Sequence, residues 1–344
     1  MYIADRKSSK KSKGGFMKYA VIGAGAMGLR YGILLQEHTD AHVDFVDTWE
    51  PGLQKVAEQG GVYVSRDHEN RRLIPINLYR PEEYKGDPDV WIIFLKQMQL
   101  EGVLERCAKA GLFKDHQVVW SAMNGYGHFE KIAKYFSEDR IYGGTAMVAT
   151  VLNGPGDVDF IGKSGAGQTH ICAYNETASD VEKAIIADLE AANAHPVLSD
   201  NFMGMCMAKV IFNSVVNTLC TMYEIQMGQY VSYPGWEDMA RQLINEAYDA
   251  CDREGIRLIE TRQEELASVD YVSRVANPLH YPSMYQDMSK GRPTEVDYIN
   301  GYIAKLGRKN DYICRTHEFL VHGVHLAELA HKIHEKEAAE KAAA

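Results

Sequence analysis

The strongest constraint on this chain is a glycine spacing near its start. Residues 23–28 read GAGAMG, with Gly23, Gly25 and Gly28 in the G-x-G-x-x-G pattern. Such a pattern means little alone. Here it follows the apolar run YAVI and precedes GLRYGILLQ, a helix-like stretch, and that strand–turn–helix context makes it a dinucleotide-binding signal. Gly23 permits the tight turn, Gly25 lets a pyrophosphate approach the backbone, and Gly28 lets helix and strand pack. Ala26 and Met27 open the helix, whose free N–H groups and dipole favour phosphate. Asp47 ends the next predicted strand, where a carboxylate accepts hydrogen bonds from the ribose hydroxyls of NAD and repels a 2′-phosphate. No basic residue follows it until Lys55, so NADH is expected over NADPH. Two alternatives stay open: Asp47 as a turn residue, and Arg30 swinging onto a phosphate.

The alternation of β-rich runs and helical patterns from Lys18 to about Ser199 predicts a mainly parallel sheet. The expected strands are 18–22, 43–47, 90–94, 117–120 and 141–148. A small hairpin is expected at 61–65 and 72–77, and a second one bending at Asn153-Gly154-Pro155-Gly156. A helix at 179–193 and a strand at 196–198 close this part. Helical periods then dominate to about His334, broken at Tyr233-Pro234-Gly235, Asn277-Pro278 and Gly291-Arg292-Pro293. The fold class is therefore α/β: a Rossmann-type domain (17–200) followed by an all-α substrate and dimerisation domain (201–334). Residues 1–16, with five Lys or Arg and no apolar core, read as a disordered leader, and 335–344 as a flexible tail.

A net charge of −10 over 344 residues argues against nucleic acid as the main partner. No apolar run approaches the roughly 20 residues that span a bilayer, so no membrane role is expected. The six cysteines (107, 172, 206, 220, 251, 314) form no C-x-x-C pair, which suits reduced thiols in the cytoplasm. His322, His325, His331 and His334 lack a companion Cys or carboxylate constellation, so no metal centre is expected.

Chemistry is most legible at 202–222, FMGMCMAKVIFNSVVNTLCTM. Lys209, Asn213 and Asn217 fall at i, i+4 and i+8 and form one slowly drifting polar stripe on an apolar helix. Burying an ammonium and two amides is costly unless they face a polar ligand, and a buried lysine with a lowered pKa can act as a general acid. Solvent exposure or an interhelical network is the plainer alternative. A second cluster is PSMYQDMSKGRPTEVDYING at 282–301. On spacing alone Glu295 sits just inside a helix begun by Pro293 and Thr294, with Thr294 and Asp297 as a capping pair.

Taken together, GAGAMG at 23–28, LK at 95–96, NGYG at 124–127, K-x-x-x-N-x-x-x-N at 209–217 and SMYQDMSKGRPTEVDYING at 283–301 resemble the ketopantoate reductase family, which includes related D-2-hydroxyacid dehydrogenases. The resemblance implies reduction of a 2-oxo acid by NADH or NADPH, with Lys209 as general acid and Glu295 as the assisting carboxylate. It places Asn124 beside the nicotinamide and the substrate, and Lys96 at the cofactor end of the cleft. Asn213, Asn217 and Ser283 would bind substrate oxygens, and a homodimer is implied. Three departures mark this chain: Asp47 where NADP-preferring members carry a base, Asn217-Thr218-Leu219-Cys220 in place of N-P-L-T, and His280-Tyr281 before Ser283. The resemblance implies a 2-dehydropantoate 2-reductase-like reduction of a 2-oxo acid to a D-2-hydroxy acid; the departures keep open, as the alternative, an NADH-preferring D-2-hydroxyacid dehydrogenase acting on a branched or aromatic 2-oxo acid instead of ketopantoate. Met123, Tyr126, His128, His280 and Tyr281 are the candidate selectivity residues. The competing readings are a β-hydroxyacid dehydrogenase and a dinucleotide sensor without turnover.

Overall fold

The computed structural model describes residues 16–162, 168–177 and 179–343. Residues 1–15 of the expected leader, and Ala344, lie outside them. Strands β1 (Lys18–Ile22), β2 (His42–Val46), β3 (Val62–Arg66), β4 (Glu69–Ile74), β5 (Asn77–Tyr79), β6 (Val90–Ile93), β7 (Val118–Ser121), β8 (Ile141–Ala146), β9 (Ala149–Gly154), β10 (Asp157–Ile161), β11 (Thr169–Ala173) and β12 (Pro196–Leu198) build two sheets. Between them run helices α1 (Ala26–His38), α2 (Glu50–Gln59), α3 (Gln97–Lys109), α4 (Phe129–Ile132) and α5 (Asp180–Ala191).

The main sheet has eight strands in the order β12-β11-β8-β7-β6-β1-β2-β5, parallel throughout except for the β8–β11 pair. Its central strands are apolar without alternation because helices cover both faces: Tyr19, Ala20, Val21 and Ile22 are fully buried, as are Trp91, Ile92 and Ile93. The register aligns Ile22 with Val46 and with Ile93, and Ile93 with Ser121. Gly23, Asp47, Lys96 and Asn124 therefore emerge near the same carboxyl edge, where ligands of open α/β sheets bind.

The two predicted hairpins are not separate features. They join into one four-stranded sheet, β4-β3-β10-β9, through parallel pairing of Tyr63 with Asp157 and of Val64 with Val158. The first is tighter than its apolar pattern suggests, because Asp67 and His68 (φ 50° and 67°) turn the chain after Arg66. Residues 77–79 then leave it and pair with β2 in the main sheet. Arg30 fastens α1 to this second sheet. It is buried, donates to the carbonyls of Ala149 (2.8 Å) and Ile161 (3.3 Å), and lies over the Phe160 ring. Those contacts exclude the phosphate role left open for it. Strand β11 was not anticipated, since Thr169–Ala173 is short and carries a polar His170.

The helical part comprises α6 (Phe202–Met222), α7 (Met227–Tyr230), α8 (Trp236–Glu254), α9 (Arg262–Tyr271), α10 (Ser283–Met288), α11 (Asn300–Lys309) and α12 (Arg315–Ala343). Asn201 caps α6, accepting from the Gly204 N–H at 2.9 Å. Contrary to the sequence expectation, α6 is long and apolar enough to cross a membrane: 21 residues, with mean hydropathy 1.3 in its best window. That window is 78% buried inside the protein, as the central helix against which α8, α9, α10 and α12 pack. The segment from Glu335 continues α12 as far as Ala343. All six cysteines are buried, unpaired thiols.

Candidate active site

At the glycine turn, Gly23 has φ +102° and donates its N–H to Val46 O at 2.9 Å. A Cβ on Gly28 would lie 1.8 Å from the Gly23 carbonyl, so only glycine lets α1 start so close to β1. A Cβ on Gly25 would meet nothing within 4 Å, leaving open space over the turn. The α1 N-terminus has no side-chain cap and no acidic residue in its first turn. No described acceptor takes the N–H groups of Ala26, Met27 and Gly28. These three N–H groups thus present an uncapped anion cradle, which fits a dinucleotide pyrophosphate.

Asp47 borders this cradle. One of its oxygens accepts from the Ala24 N–H (2.5 Å), and the other from Thr48 N (2.6 Å) and Trp49 N (2.9 Å). The carboxylate therefore also ties the glycine turn to the end of β2, the structural role left open for it.

On the facing side, four charged residues meet. Lys96, the N-cap of α3, brings Nζ to 2.5 Å from Asp287 Oδ2 and 3.4 Å from Glu295 Oε2. Glu295 also accepts from the Gln97 N–H through Oε1 at 3.1 Å. Arg292 closes the group from outside, its Nε and Nη2 at 2.9 and 2.8 Å from Asp287 Oδ1. Burial would lower the Lys96 ammonium, but the facing charges of Glu295 and Asp287 outweigh it and hold its pKa above the ordinary lysine value. Glu295 does not lie inside a helix. It precedes a single 3-10 turn, Val296–Tyr298, and the predicted capping pair is absent: Thr294 donates its N–H to Glu328, and Asp297 pairs with His325. The α10–α11 connection instead turns Glu295 inward to α3.

Gln97 extends the group, its Nε2 reaching Asn124 O (2.8 Å) and His128 Nδ1 (3.0 Å). The Tyr126 N–H donates to Tyr298 O at 2.9 Å. The NGYG loop carrying Asn124 is thereby joined to the helical domain.

Lys209 lies on α6 at the end of β8, with Nζ 2.5 Å from Ala146 O. Burial pushes its ammonium down to about 8, an effect partly opposed by the charge of Glu295. Asn213 and Asn217 follow on the same face. Both residues are buried, and neither amide has a hydrogen-bond partner among the described residues. Ser283 opens α10 with an unbonded hydroxyl. An ammonium able to give up a proton near neutrality, beside two unsatisfied amides, suits an anionic substrate with a developing oxyanion.

The predicted selectivity residues divide. Met123, Tyr126 and His128 are core residues. Tyr126 bonds Met203 Sδ, and burial drives His128 down to about 3, leaving it neutral. His280 and Tyr281 remain partly exposed, and Tyr281 stacks on Tyr285 (4.7 Å between centroids). Sequence reasoning missed Asp287 and Gln97, whose partners are far away in the chain, and Arg292, which pairs with Asp287 five residues before it. A cavity of about 720 Å³ lies elsewhere at the domain junction, lined by Tyr126, Tyr174, Met203, Arg257 and Lys305 among others. Of the candidate residues Tyr126 alone lines it, so the site rests on its chemistry and not on cavity size. Among the described residues no three His, Cys, Asp or Glu side chains group to hold a metal.

A dinucleotide cradle facing a lysine-bearing helix across two domains defines a nicotinamide-dependent oxidoreductase. Comparison with known proteins narrows the class. Residues 19–176 match the family model "Ketopantoate reductase PanE/ApbA", and residues 201–328 match its C-terminal counterpart. The 2-dehydropantoate 2-reductase of Lactococcus lactis is 30% identical over 319 residues, covering 91% of this chain and 98% of that protein. The Streptococcus pyogenes enzyme of the same name is 29% identical, over 88% and 96%. The ternary structure of D-mandelate dehydrogenase with NADH and anilino(oxo)acetate superposes with a TM-score of 0.85 at 29% identity, covering 92% of this chain and all of that one. The chain belongs to the ketopantoate reductase family and is an NAD(P)-dependent oxidoreductase acting between a 2-oxo acid and a D-2-hydroxy acid. Membership sets aside the β-hydroxyacid dehydrogenase and sensor readings.

Proposed function

We propose that this chain is an NADH-linked D-2-hydroxyacid dehydrogenase whose substrate is a 2-oxo acid with a branched or aromatic side chain. The observation that carries the chemistry is Lys209, with its lowered pKa, beside the unpaired amides of Asn213 and Asn217. With its pyrophosphate held in the cradle of residues 23–28, the reduced dinucleotide would supply the hydride. Lys209 gives its proton to the oxygen on which charge develops. Asn213, Asn217 and Ser283 hold the substrate carboxylate and keto oxygen, which lowers the entropic cost of alignment. Glu295 keeps a negative charge near Lys209 and favours its protonated form, and Asn124 and Lys96 border the nicotinamide end.

The NADH preference is supported by the electrostatics around Asp47. The nearest arginine beyond it on that edge, Arg80, is engaged by Glu50 (2.5 Å) and Glu83 (3.1 Å), so it is not a free cation for a 2′-phosphate. The aromatic preference is supported by the Tyr281–Tyr285 stack at the start of α10 and by the likeness to D-mandelate dehydrogenase. Ketopantoate is the second reading, favoured by the names of the Lactococcus and Streptococcus relatives. Homodimerisation is supported by the apolar residues that α12 leaves exposed, Phe319, Leu326, Leu329 and Ile333, at alternating spacings close to a helical stripe.

Initial rates decide it: purified protein with NADH and NADPH, each against ketopantoate and a panel of branched and aromatic 2-oxo acids. The proposal expects the highest kcat/KM for NADH with a bulky 2-oxo acid. NADPH-linked turnover of ketopantoate alone would overturn both the cofactor and the substrate reading.

A further inference from the structure

Gln97 is fully buried at the start of α3 and takes no part in the proposed proton and hydride steps. Its main chain and its side chain nevertheless serve two different candidate site residues. The Gln97 N–H donates to Glu295 Oε1 at 3.1 Å, while Nε2 donates to the Asn124 carbonyl at 2.8 Å and meets His128 Nδ1 at 3.0 Å. A further bond closes a ring: the Tyr126 N–H donates to Tyr298 O at 2.9 Å. The circuit runs from Gln97 to Asn124, through Gly125 to Tyr126, across to Tyr298 and back along the 3-10 turn to Glu295. It joins α3 and the NGYG loop of the cofactor domain to residues 295–298 of the helical domain.

The ring has little slack. Gly125 has φ +74°, and a Cβ there would lie 2.7 Å from the Tyr298 carbonyl oxygen, so loop and turn meet backbone to backbone. Lys131 fastens the same corner, with Nζ 3.3 Å from Gln97 O and 4.9 Å from the centre of the Tyr298 ring. The Asn124 side-chain amide, by contrast, is half-buried and has no hydrogen-bond partner among the described residues.

Chemistry fixes the direction of these bonds. The Asn124 carbonyl can only accept, so the Gln97 amide nitrogen must face it. Burial keeps His128 neutral, its Nδ1 accepts from the same nitrogen, and its proton therefore sits on Nε2. Gln97 Oε1 and His128 Nε2 are left without partners among the described residues. An unpaired amide oxygen is costly in a buried site, and a methionine would fill the space without that cost. What the amide alone supplies is the donor to Asn124.

We infer that Gln97 is a positioning residue: through this ring it sets how Asn124 meets the nicotinamide and keeps it in register with Glu295. The inference rests on the proposed placement of Asn124 and Glu295 at the reacting end of the cleft. Gln97 acts through the Asn124 peptide and touches no reactant. Hydride transfer depends steeply on alignment, and a misplacement of about 1 Å can cost about a hundredfold in rate. The pyrophosphate cradle at residues 23–28 lies outside the ring, so cofactor affinity should survive the loss of the Gln97 donor.

The test compares wild type with Gln97→Met and Gln97→Glu, both of which keep the backbone N–H to Glu295. Gln97→Met removes the donor at nearly constant length. Gln97→Glu keeps the shape, but its ionised carboxylate faces the Asn124 carbonyl with no proton to give. Once protonated, its hydroxyl can donate to Asn124 O, while His128, whose Nε2 bonds nothing, moves its proton to Nδ1 and donates in turn. The charged groups around this site are Lys131 on α4, Glu295 and the adjacent Lys96, and all are common to the three proteins. Measured are kcat, the NADH dissociation constant, the isotope effect with NADH deuterated at the transferred position, and the fluorescence lifetime of bound NADH.

In Gln97→Met, kcat for 2-oxo acid reduction should fall about ten- to a hundredfold while the NADH dissociation constant stays within about threefold. The isotope effect should rise and the bound-NADH lifetime shorten, because the nicotinamide is held less firmly. In Gln97→Glu, kcat relative to wild type should recover as pH falls and the carboxyl protonates, a recovery that Gln97→Met does not show. A residue that only stabilises the fold would scale kcat with the folded fraction and leave isotope effect and lifetime unchanged; that result, or wild-type kcat in Gln97→Met, overturns the inference. Should Gln97→Met not fold, a rate ratio for Gln97→Glu that is constant with pH overturns it instead. A shortened lifetime in Gln97→Met, in a protein whose wild type reduces no 2-oxo acid, would sink the proposed function and leave the positioning role standing.

Discussion

If Lys209 is the proton donor, 2-oxo acid reduction should fail at a pH where an ordinary lysine enzyme would still work. Burial lowers this ammonium from 10.5 to about 8, because the apolar core of α6 solvates the charge poorly and the Ala146 carbonyl is its only hydrogen-bond acceptor among the described residues. With that pKa, about nine tenths of the enzyme carries the proton at about pH 7 and about one tenth at about pH 9. The kcat/KM for reduction, which reports the enzyme before substrate binds, should therefore fall about tenfold across that interval. Over the same interval a lysine at its ordinary value would lose almost nothing. In the oxidation direction the neutral amine is the required base, so kcat/KM for the hydroxy acid should rise with pH through the same midpoint. Glu295→Gln removes a charge that raises the Lys209 pKa, so both limbs should move to lower pH. Initial rates at saturating NADH, with pH-jump assays to limit cofactor decay, measure this directly. A reduction profile flat to about pH 10, or an alkaline limb that persists unchanged in Lys209→Met, would refute the assignment.

Other expectations follow from the turn and the core. Gly25→Ala should leave the thermal midpoint near wild type, since its Cβ meets no protein atom within 4 Å, but weaken NADH binding at least about tenfold in a fluorescence titration; undiminished affinity would mean that the pyrophosphate does not lie there. Gly28→Ala should lower stability by at least about 2 kcal/mol in chemical denaturation, because its Cβ would meet a backbone carbonyl that cannot rotate away. Asp47→Asn should lower the ratio of kcat/KM with NADH to that with NADPH, and an unchanged ratio would confine Asp47 to its turn-closing hydrogen bonds. Glu265 is buried on α9, and desolvation raises its carboxyl to about 8. The folded state thus holds this proton more tightly than the unfolded chain, so its contribution to stability is complete below the ordinary carboxylate pKa and is lost as pH rises through about 8. Glu265→Gln should accordingly stabilise the protein at about pH 8 and flatten that part of the stability profile; an identical pH slope in both proteins would contradict it.

The parts legible in the sequence are those whose physics is local. GAGAMG could be read because the turn, the close approach and the helix start all fall within six residues. The central strands were readable because burial on both faces demands uninterrupted apolar runs such as YAVI and VWII. The stripe of Lys209, Asn213 and Asn217 follows from helical periodicity alone, and an ammonium among apolar neighbours already implied a perturbed pKa. Tertiary structure decided everything that depends on chain segments meeting. Two hairpins about ninety residues apart form one sheet, and only that meeting turns Arg30 from a candidate phosphate ligand into a buried clamp. Lys96 finds Asp287 across 191 residues and Glu295 across 199, and no periodicity encodes such a pairing. Met123, Tyr126 and His128 show the converse: a promising local motif whose side chains the packing turns into the core. Hydrogen bonds and hydrophobic periods along one element leave a trace in spacing, whereas the ion-paired group of Lys96, Asp287, Arg292 and Glu295 exists only because two distant segments are brought within a few ångströms.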